Sequence, residues 1–276
     1  MKLLAPAKIN LSLRILGKRP DGFHEIESLM VPLSLCDTLE LAENPEPGIA
    51  FSCSDPTLPC DDTNLVVRAA RRFFETAKRP AAVSIHLQKV IPHGAGLGGG
   101  SSDAAATLDG LNRWFGEPLD AATLHRLAAE IGSDVPFFLA KGAAVCRGRG
   151  EIVTPTAFAH RLPLLLVKPD FGVPTPWAYS RWAASREIPG VSYAPQNFPW
   201  GSLVNDLERP VFEKYLFLAT VKEWLLRQPE TAGALMSGSG ATCFAVLHRE
   251  EDGPVLENRA REELGPVWTA LCSTAA

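Results

Sequence analysis

No apolar run in the 276 residues approaches the length of a membrane span, so a transmembrane helix is not expected. The apolar start MKLLAPA is interrupted by Lys8 and Asn10, too early for a signal-peptide core, and a cytoplasmic protein is expected. Neither charge sign is gathered into a long block. With 27 basic and 31 acidic residues the net charge is −4, which argues against a nucleic-acid partner. The six cysteines form no CxxC pair and the six histidines are scattered from His24 to His248, so a structural zinc is not expected, and reduced, mostly buried thiols are. Repeats and low-complexity linkers are also missing. What remains is a chain with 46% hydrophobic residues, long enough for one large or two ordinary domains.

Ile9, Leu11, Leu13 and Ile15 alternate with polar residues, a period-two pattern that predicts a half-buried strand with Lys8 and Asn10 on its polar face. RPDGF follows as the turn of a hairpin. Leu39 and Leu41, then Ile49, Phe51 and Cys53, suggest further short strands. Asp62-Thr63-Asn64 offers caps for a helix over LVVRAARRFFETA, and residues 82–91 alternate again as a strand. A helix face at Leu124, Leu127, Ala128 and Ile131 is stopped by Gly132, after which Ser133 or Asp134 could cap a new helix with Pro136 in its first turn. The pattern resets after GRGEIVTP, predicting a first domain over 1–155 and a second over 156–276. The second opens with the strand LPLLLVKP and continues to a helix around Phe217, Val221 and Leu225. It closes with strand, glycine turn and strand in GALMSGSGATCFAVL, then a final helix.

The stretch PHGAGLGGGSSDAAA, residues 92–106, places five glycines in the seven positions Gly94 to Gly100 between a strand and a helix. Gly94, Gly96 and Gly99 satisfy GxGxxG, yet the acidic residue expected about 20 positions on at the tip of a second strand is missing, against a dinucleotide fold. A Walker loop needs GK[ST], and Gly100 is followed by Ser101, Ser102 and Asp103. Asp170-Phe171-Gly172 resembles one protein-kinase signature, but no HRD or VAIK segment accompanies it, and it reads as chance. An anion site still fits: glycines let backbone N–H groups point inward, and a helix starting at Ser101 aims its positive end at the same space. The alternative is a capped helix after a mobile loop.

Three separated segments, PAKIN (6–10), PHGAGLGGGSSDAA (92–105) and SGSGATCF (237–244), together resemble the motifs of the GHMP small-molecule kinases. APAKINLSLRILGKRPDGFHEI, TNLVVRAA, IGSDVPFF and LGGGSSDAA are similar to the branch that phosphorylates a cytidine diphosphate methylerythritol in the non-mevalonate isoprenoid pathway. The resemblance spans essentially the whole chain and implies a two-domain α+β fold, a ribosomal-S5-like N-terminal domain with a ferredoxin-like C-terminal one. It also implies ATP with Mg²⁺ as phosphoryl donor system and phosphorylation of the C2 hydroxyl; no metal-ligand cluster can be read from the sequence, which fits an ion held mainly by phosphates and waters.

The same resemblance implies the site residues. Asp134 would be the catalytic base and Lys8 its cationic partner; a tertiary alcohol is a poor nucleophile, and a carboxylate in reach can take its proton as the new bond forms. Asn10 would orient the substrate. Phe23 would stack on cytosine, His24 read the base edge, Tyr179 supply the second aromatic, and Thr175 contact substrate. Around ATP the resemblance points to Pro92, His93, Gly94, Ala95, Gly96, Leu97, Gly98, Gly99, Gly100, Ser101 and Ser102, with Lys89, Asn64 and Asp103 near the nucleotide. Asp103 stands where the family often has Asn, so its carboxylate is expected to cap the helix or face the ribose or adenine. Phe23 stands where Tyr is commoner, which leaves the stacking face intact. The implied partner is the small molecule, with neither nucleic acid nor membrane, and the protein a monomer or homodimer. Homoserine- or mevalonate-type kinases and a non-catalytic nucleotide-binding module are the rival readings.

Overall fold

The computed structural model describes residues 1–275. Two long strands, β1 (Lys2–Lys18) and β2 (His24–Glu43), form the expected hairpin, and Leu39 and Leu41 extend β2 rather than starting a strand of their own. β3 (Gly48–Cys53), α1 (Leu65–Ala77), β4 (Ala82–Gln88), α2 (Gly99–Trp114), α3 (Ala121–Ile131), α4 (Val135–Leu139), β5 (Ala144–Gly148) and β6 (Ile152–Pro155) complete the first half. β4 pairs with the far end of β2, Thr38 to Glu43, while β5 pairs with its near end, Ile26 to Met30. One long strand thus serves two partners.

The second half runs β7 (Pro163–Pro169), α5 (Thr175–Arg181), β8 (Gln196–Phe198), β9 (Gly201–Asn205), α6 (Glu208–Lys214), α7 (Leu216–Leu226), β10 (Thr231–Met236), β11 (Cys243–Leu247), α8 (Gly253–Glu263) and β12 (Val267–Ser273). β7, β10, β11 and β12 make an antiparallel sheet in the order β10-β11-β7-β12, the ferredoxin-like arrangement. The hairpin of β8 and β9 leaves this half and joins the first sheet, β9 running parallel to β1 through Ser12↔Val204 and Leu13↔Asn205.

Packing explains how the first strand acquires a buried polar face. Leu3 and Ala5 pack under α1 and α2, whereas Ala7, Ile9 and Leu11 pack against Leu164, Leu166 and Phe244 of the second sheet. A register shift between Pro6 and Lys8 separates the two groups, and such an irregularity re-aims the side chains that follow it. Lys8 and Asn10 are therefore not on a solvated face as the alternation predicted: they are 3% and 1% exposed, covered from the other side by the glycine loop.

Candidate active site

The glycine loop leads from β4 to α2, which starts at Gly99, two residues before the expected Ser101. Gly98 is the N-cap at φ +70, and no side chain caps the helix, so the first amides of a 16-residue helix face the loop's concavity with the positive dipole end behind them. Glycine at 96 and 98 is a steric requirement as well as a conformational one. A Cβ on Gly96, at φ +74, would lie 2.3 Å from Ser237 O; one on Gly98 would lie 2.9 Å from Phe138 Cζ and 3.0 Å from Lys8 Cγ. The DFG stretch, read as chance, has a packing role, since a Cβ on Gly172 would stand 3.3 Å from Gly94 O.

Lys8 is fastened below this loop at both ends. Its backbone N–H donates to Leu97 O at 2.9 Å, and its ammonium donates to Asn10 Oδ1 at 2.7 Å and lies 3.5 Å from Asp134 Oδ2. Asn10 Nδ2 in turn donates to Ser28 Oγ at 2.7 Å, which fixes the amide with its oxygen toward the lysine. A charge buried this deeply requires partners, and Asn10 and Asp134 supply them. Asp134 is the N-cap residue of α4 by position, yet its side chain makes no capping bond and keeps 33% of its surface exposed. The carboxylate is free to accept from something in the cleft, contrary to a purely capping role.

At the other end of the loop, the nucleotide candidates do unexpected work. Lys89 is 7% exposed and its ammonium is held between Asp37 and Asp103, with Asp103 Oδ2 at 2.9 Å, so it is not a free cation. Asp103 accordingly pairs with Lys89 instead of capping the helix, while still lining the cleft; burial, reinforced by the Asp37 charge, pushes its carboxyl up to about 7 against the opposing pull of Lys89. Asp37 Oδ1 also accepts the N–H groups of Val90 (2.6 Å) and Ile91 (2.9 Å), anchoring the start of the loop. Asn64 caps α1, its Oδ1 accepting from Val66 N at 2.9 Å, while still lining the cleft. Ser102 is buried with its hydroxyl unpartnered, and Leu97 is buried too; neither lines the cleft, whereas Pro92 through Gly96 and Gly98 through Ser101 do.

The third group gathers at the β1–β2 turn. Tyr179 stacks on His24, ring centroids 5.5 Å apart and 29° from parallel, while Phe23 is half exposed and presents its face to the Arg149 guanidinium at 4.7 Å. The two expected sandwich rings thus have different partners in this conformation. Burial, and then the Lys18 charge, hold the His24 imidazole below its usual range, leaving it neutral near pH 7 with one donor and one acceptor. Thr175 begins α5 and shares a 2.7 Å hydrogen bond with Ser239.

One cleft of about 360 Å³ runs from Leu58 and Asn64 past the glycine loop to Lys8, Asp134, Thr175 and Tyr179; Phe23 and His24 do not line it themselves and adjoin it through Arg149 and Tyr179. Its chemistry is directional: an amide-lined anion cradle in the middle, a lysine and a carboxylate at one end of it, flat rings beyond. Arg149 and Ser239 line it and Asp37, fully buried, braces Lys89 behind it; none of the three was expected as a site residue. Arg149 and Gly150 span from the Phe23 ring to the acid, a Cβ on Gly150 falling 3.6 Å from Asp134 Oδ1. An acid inside the apolar strand SLCDTLEL was the available signal for Asp37.

Comparison with known proteins gives a consistent picture. Residues 64–142 match the GHMP kinases N terminal domain, and residues 197–265 match the GHMP kinases C terminal family. A protein of Methylacidiphilum infernorum named 4-diphosphocytidyl-2-C-methyl-D-erythritol kinase is 45% identical over 97% of this chain and 94% of its own length. One of the same name from Synechococcus sp. (strain JA-2-3B'a(2-13)) is 40% identical over 89% of this chain and 84% of its own. A crystal structure of 4-(cytidine 5'-diphospho)-2C-methyl-D-erythritol kinase superposes with a TM-score of 0.79 at 35% identity, both chains covered completely. A homoserine kinase from Cytophaga hutchinsonii at 18% identity, TM-score 0.70, with 100% of this chain and 94% of that one covered, shares the fold.

Proposed function

Because the chain belongs to the 4-diphosphocytidyl-2-C-methyl-D-erythritol kinases of the GHMP kinase family, we propose that its cleft transfers the γ-phosphate of ATP to the C2 hydroxyl of that cytidylated alcohol, a step in non-mevalonate isoprenoid precursor synthesis. The observation that carries the reading is the Lys8–Asp134 pair, 3.5 Å apart at the edge of the glycine loop.

In this reading the amides of the glycine loop and of the α2 start hold the ATP phosphates. Asp134 accepts the proton of the C2 hydroxyl while the hydroxyl oxygen bonds to the γ-phosphorus and the bond to the ADP oxygen breaks. Lys8 stands where it offsets the negative charge gathering on the transferring group, oriented by Asn10. His24, Phe23 and Tyr179 receive the cytosine, with Arg149 leaving the Phe23 face as the base arrives. Thr175 contacts the alcohol portion. Lys89, Asp37 and Asp103 act as the buried brace beneath the nucleotide rather than as phosphate ligands.

We assign Mg²⁺ to the nucleotide rather than to a resident protein site. Among the described residues no group of three or more His, Cys, Asp or Glu could hold a metal ion, a donor set that fits an ion carried by phosphate oxygens and water. We further propose a division into a nucleotide domain over 1–155 and a C-terminal domain over 156–276, the latter lending the 196–205 hairpin back to the first sheet, and a cytoplasmic monomer or homodimer. The test of the function is ADP release with each candidate alcohol alone: turnover with the cytidylated methylerythritol supports it, and turnover with homoserine or mevalonate instead overturns it.

A further inference from the structure

The run Asn205-Asp206-Leu207-Glu208 starts at the last residue of β9 and lines no part of the cleft, yet it bonds to β1, which carries Lys8 and Asn10, and to the end of β10. Asp206 ties it to β1: its backbone N–H donates to Leu13 O at 2.9 Å and its Oδ2 accepts the Ile15 N–H at 2.8 Å. Glu208 and Asn205 tie it to the end of β10. Glu208 Oε1 accepts the Met236 N–H at 2.9 Å, and Asn205 Nδ2 donates to Met236 O and to Gly238 O at 2.7 Å each. Asn205 Oδ1 accepts the Leu207 N–H at 2.9 Å, so all three bonds define which way its amide points. Glu208 is itself locked by a buried ion pair with Lys222 at 2.6 Å.

The turn held in this way, Met236 to Gly240, lies against Lys8, Asn10, the glycine loop and Thr175. A Cβ on Gly238 would lie 3.4 Å from both Lys8 Nζ and Asn10 Oδ1. Ser237 Oγ donates to Gly96 O at 2.9 Å, and Ser239 bonds Thr175. We propose that Asn205 is a positioning residue for phosphoryl transfer: its two donated bonds hold this turn at the distance from β1 that seats the Lys8 ammonium between Asn10 and Asp134. The assignment rests on the use of Lys8 and Asp134 in the proposed function. Only an uncharged amide suits the place, because two carbonyls need donors, one N–H needs an acceptor, and the side chain is 4% exposed.

Asn205→Asp keeps the acceptor for Leu207 and turns a carboxylate oxygen toward the two carbonyls; Asn205→Ala removes all three bonds without adding charge. Displacing catalytic groups by about 1 Å costs on the order of 10²-fold in rate, so kcat is expected to fall roughly 10²-fold. Cytidine 5'-diphosphate binding, measured by calorimetric titration, should stay within about threefold, because the rings that receive the base are not bonded to Asn205. A cooperative thermal transition should persist. Unchanged kcat in a folded variant overturns the inference, as does a fall in kcat matched by an equal loss of cytidine diphosphate binding, or the failure of both variants to fold cooperatively. Wild-type protein run alongside separates the two claims: if it does not turn over the cytidylated alcohol, the proposed function fails, and this inference with it.

Discussion

Replacing Asp134 by Asn isolates proton acceptance from almost everything else at the site. The side chain is one-third exposed, caps no helix and touches one charged partner at 3.5 Å, so the substitution removes charge without opening a cavity. Lys8 keeps its 2.7 Å bond to Asn10, which limits the loss of fold stability. Partly exposed ion pairs are worth at most about 1 kcal/mol, and the thermal midpoint should move by only a few degrees. Positioned proton transfer contributes roughly 10²- to 10⁴-fold, so kcat should fall by that factor, about 3 to 5 kcal/mol of transition-state stabilisation. The assay is ADP release under saturating ATP and alcohol, with ATP affinity read from displacement of a fluorescent nucleotide. ATP affinity should change by less than about threefold, since the phosphate cradle is built from backbone amides that do not involve Asp134. Turnover retained within threefold of wild type would refute the role of base. A loss of ATP binding as large as the loss of kcat would refute the separation of cradle from acid.

Two other perturbations follow from geometry. Gly96→Ala places a Cβ 2.3 Å from Ser237 O at φ +74, a clash between two backbone segments. Strain of this kind costs about 1 to 3 kcal/mol, and nucleotide titration should show ATP affinity reduced by about tenfold or more; undiminished affinity would mean the loop does not rest on that turn. Asp103 has its carboxyl raised from 3.8 to about 7 by burial and by Asp37, so the folded chain binds this proton more tightly than the unfolded one and stability falls as pH rises through that window. Asp103→Asn should flatten the wild-type decline in thermal midpoint between pH 4 and pH 7, and an equally steep decline in the variant would remove Asp103 as its source.

Where function was legible in the sequence, the signal was local. Glycine density between an alternating strand and a helix marked the loop that opens on the α2 start, and period-two alternation put Lys8 and Asn10 on one face. What the alternation could not convey is that this face is covered, because the cover is the glycine loop, some ninety residues further on. Asp134 looked like a cap because it follows Gly132 and precedes Pro136; only its unused carboxylate in the fold reveals otherwise. Lys89 was expected near the nucleotide, and its bracing by Asp37 and Asp103 was not legible because those partners come from β2 and from α2. Asn205 and Glu208 carried no local signal, since their meaning lies in carbonyl and amide groups of β10 about thirty residues away. The expected separation of Phe23, His24 and Tyr179 into stacker, reader and stacker was legible from the resemblance, while the pairing of Tyr179 with His24 and of Phe23 with Arg149 belongs to the three-dimensional arrangement.

The central claim is that the lysine, the acid and the glycine loop serve a cytidylated alcohol. It is tested most directly by incubating the protein with ATP and an equimolar mixture of 4-diphosphocytidyl-2-C-methyl-D-erythritol, homoserine and mevalonate, then identifying the phosphate ester by phosphorus NMR. A single new monoester is expected, on the C2 oxygen of the cytidylated methylerythritol, with ADP formed in equal amount. A phosphorylated homoserine or mevalonate, or ADP without any ester, would contradict it.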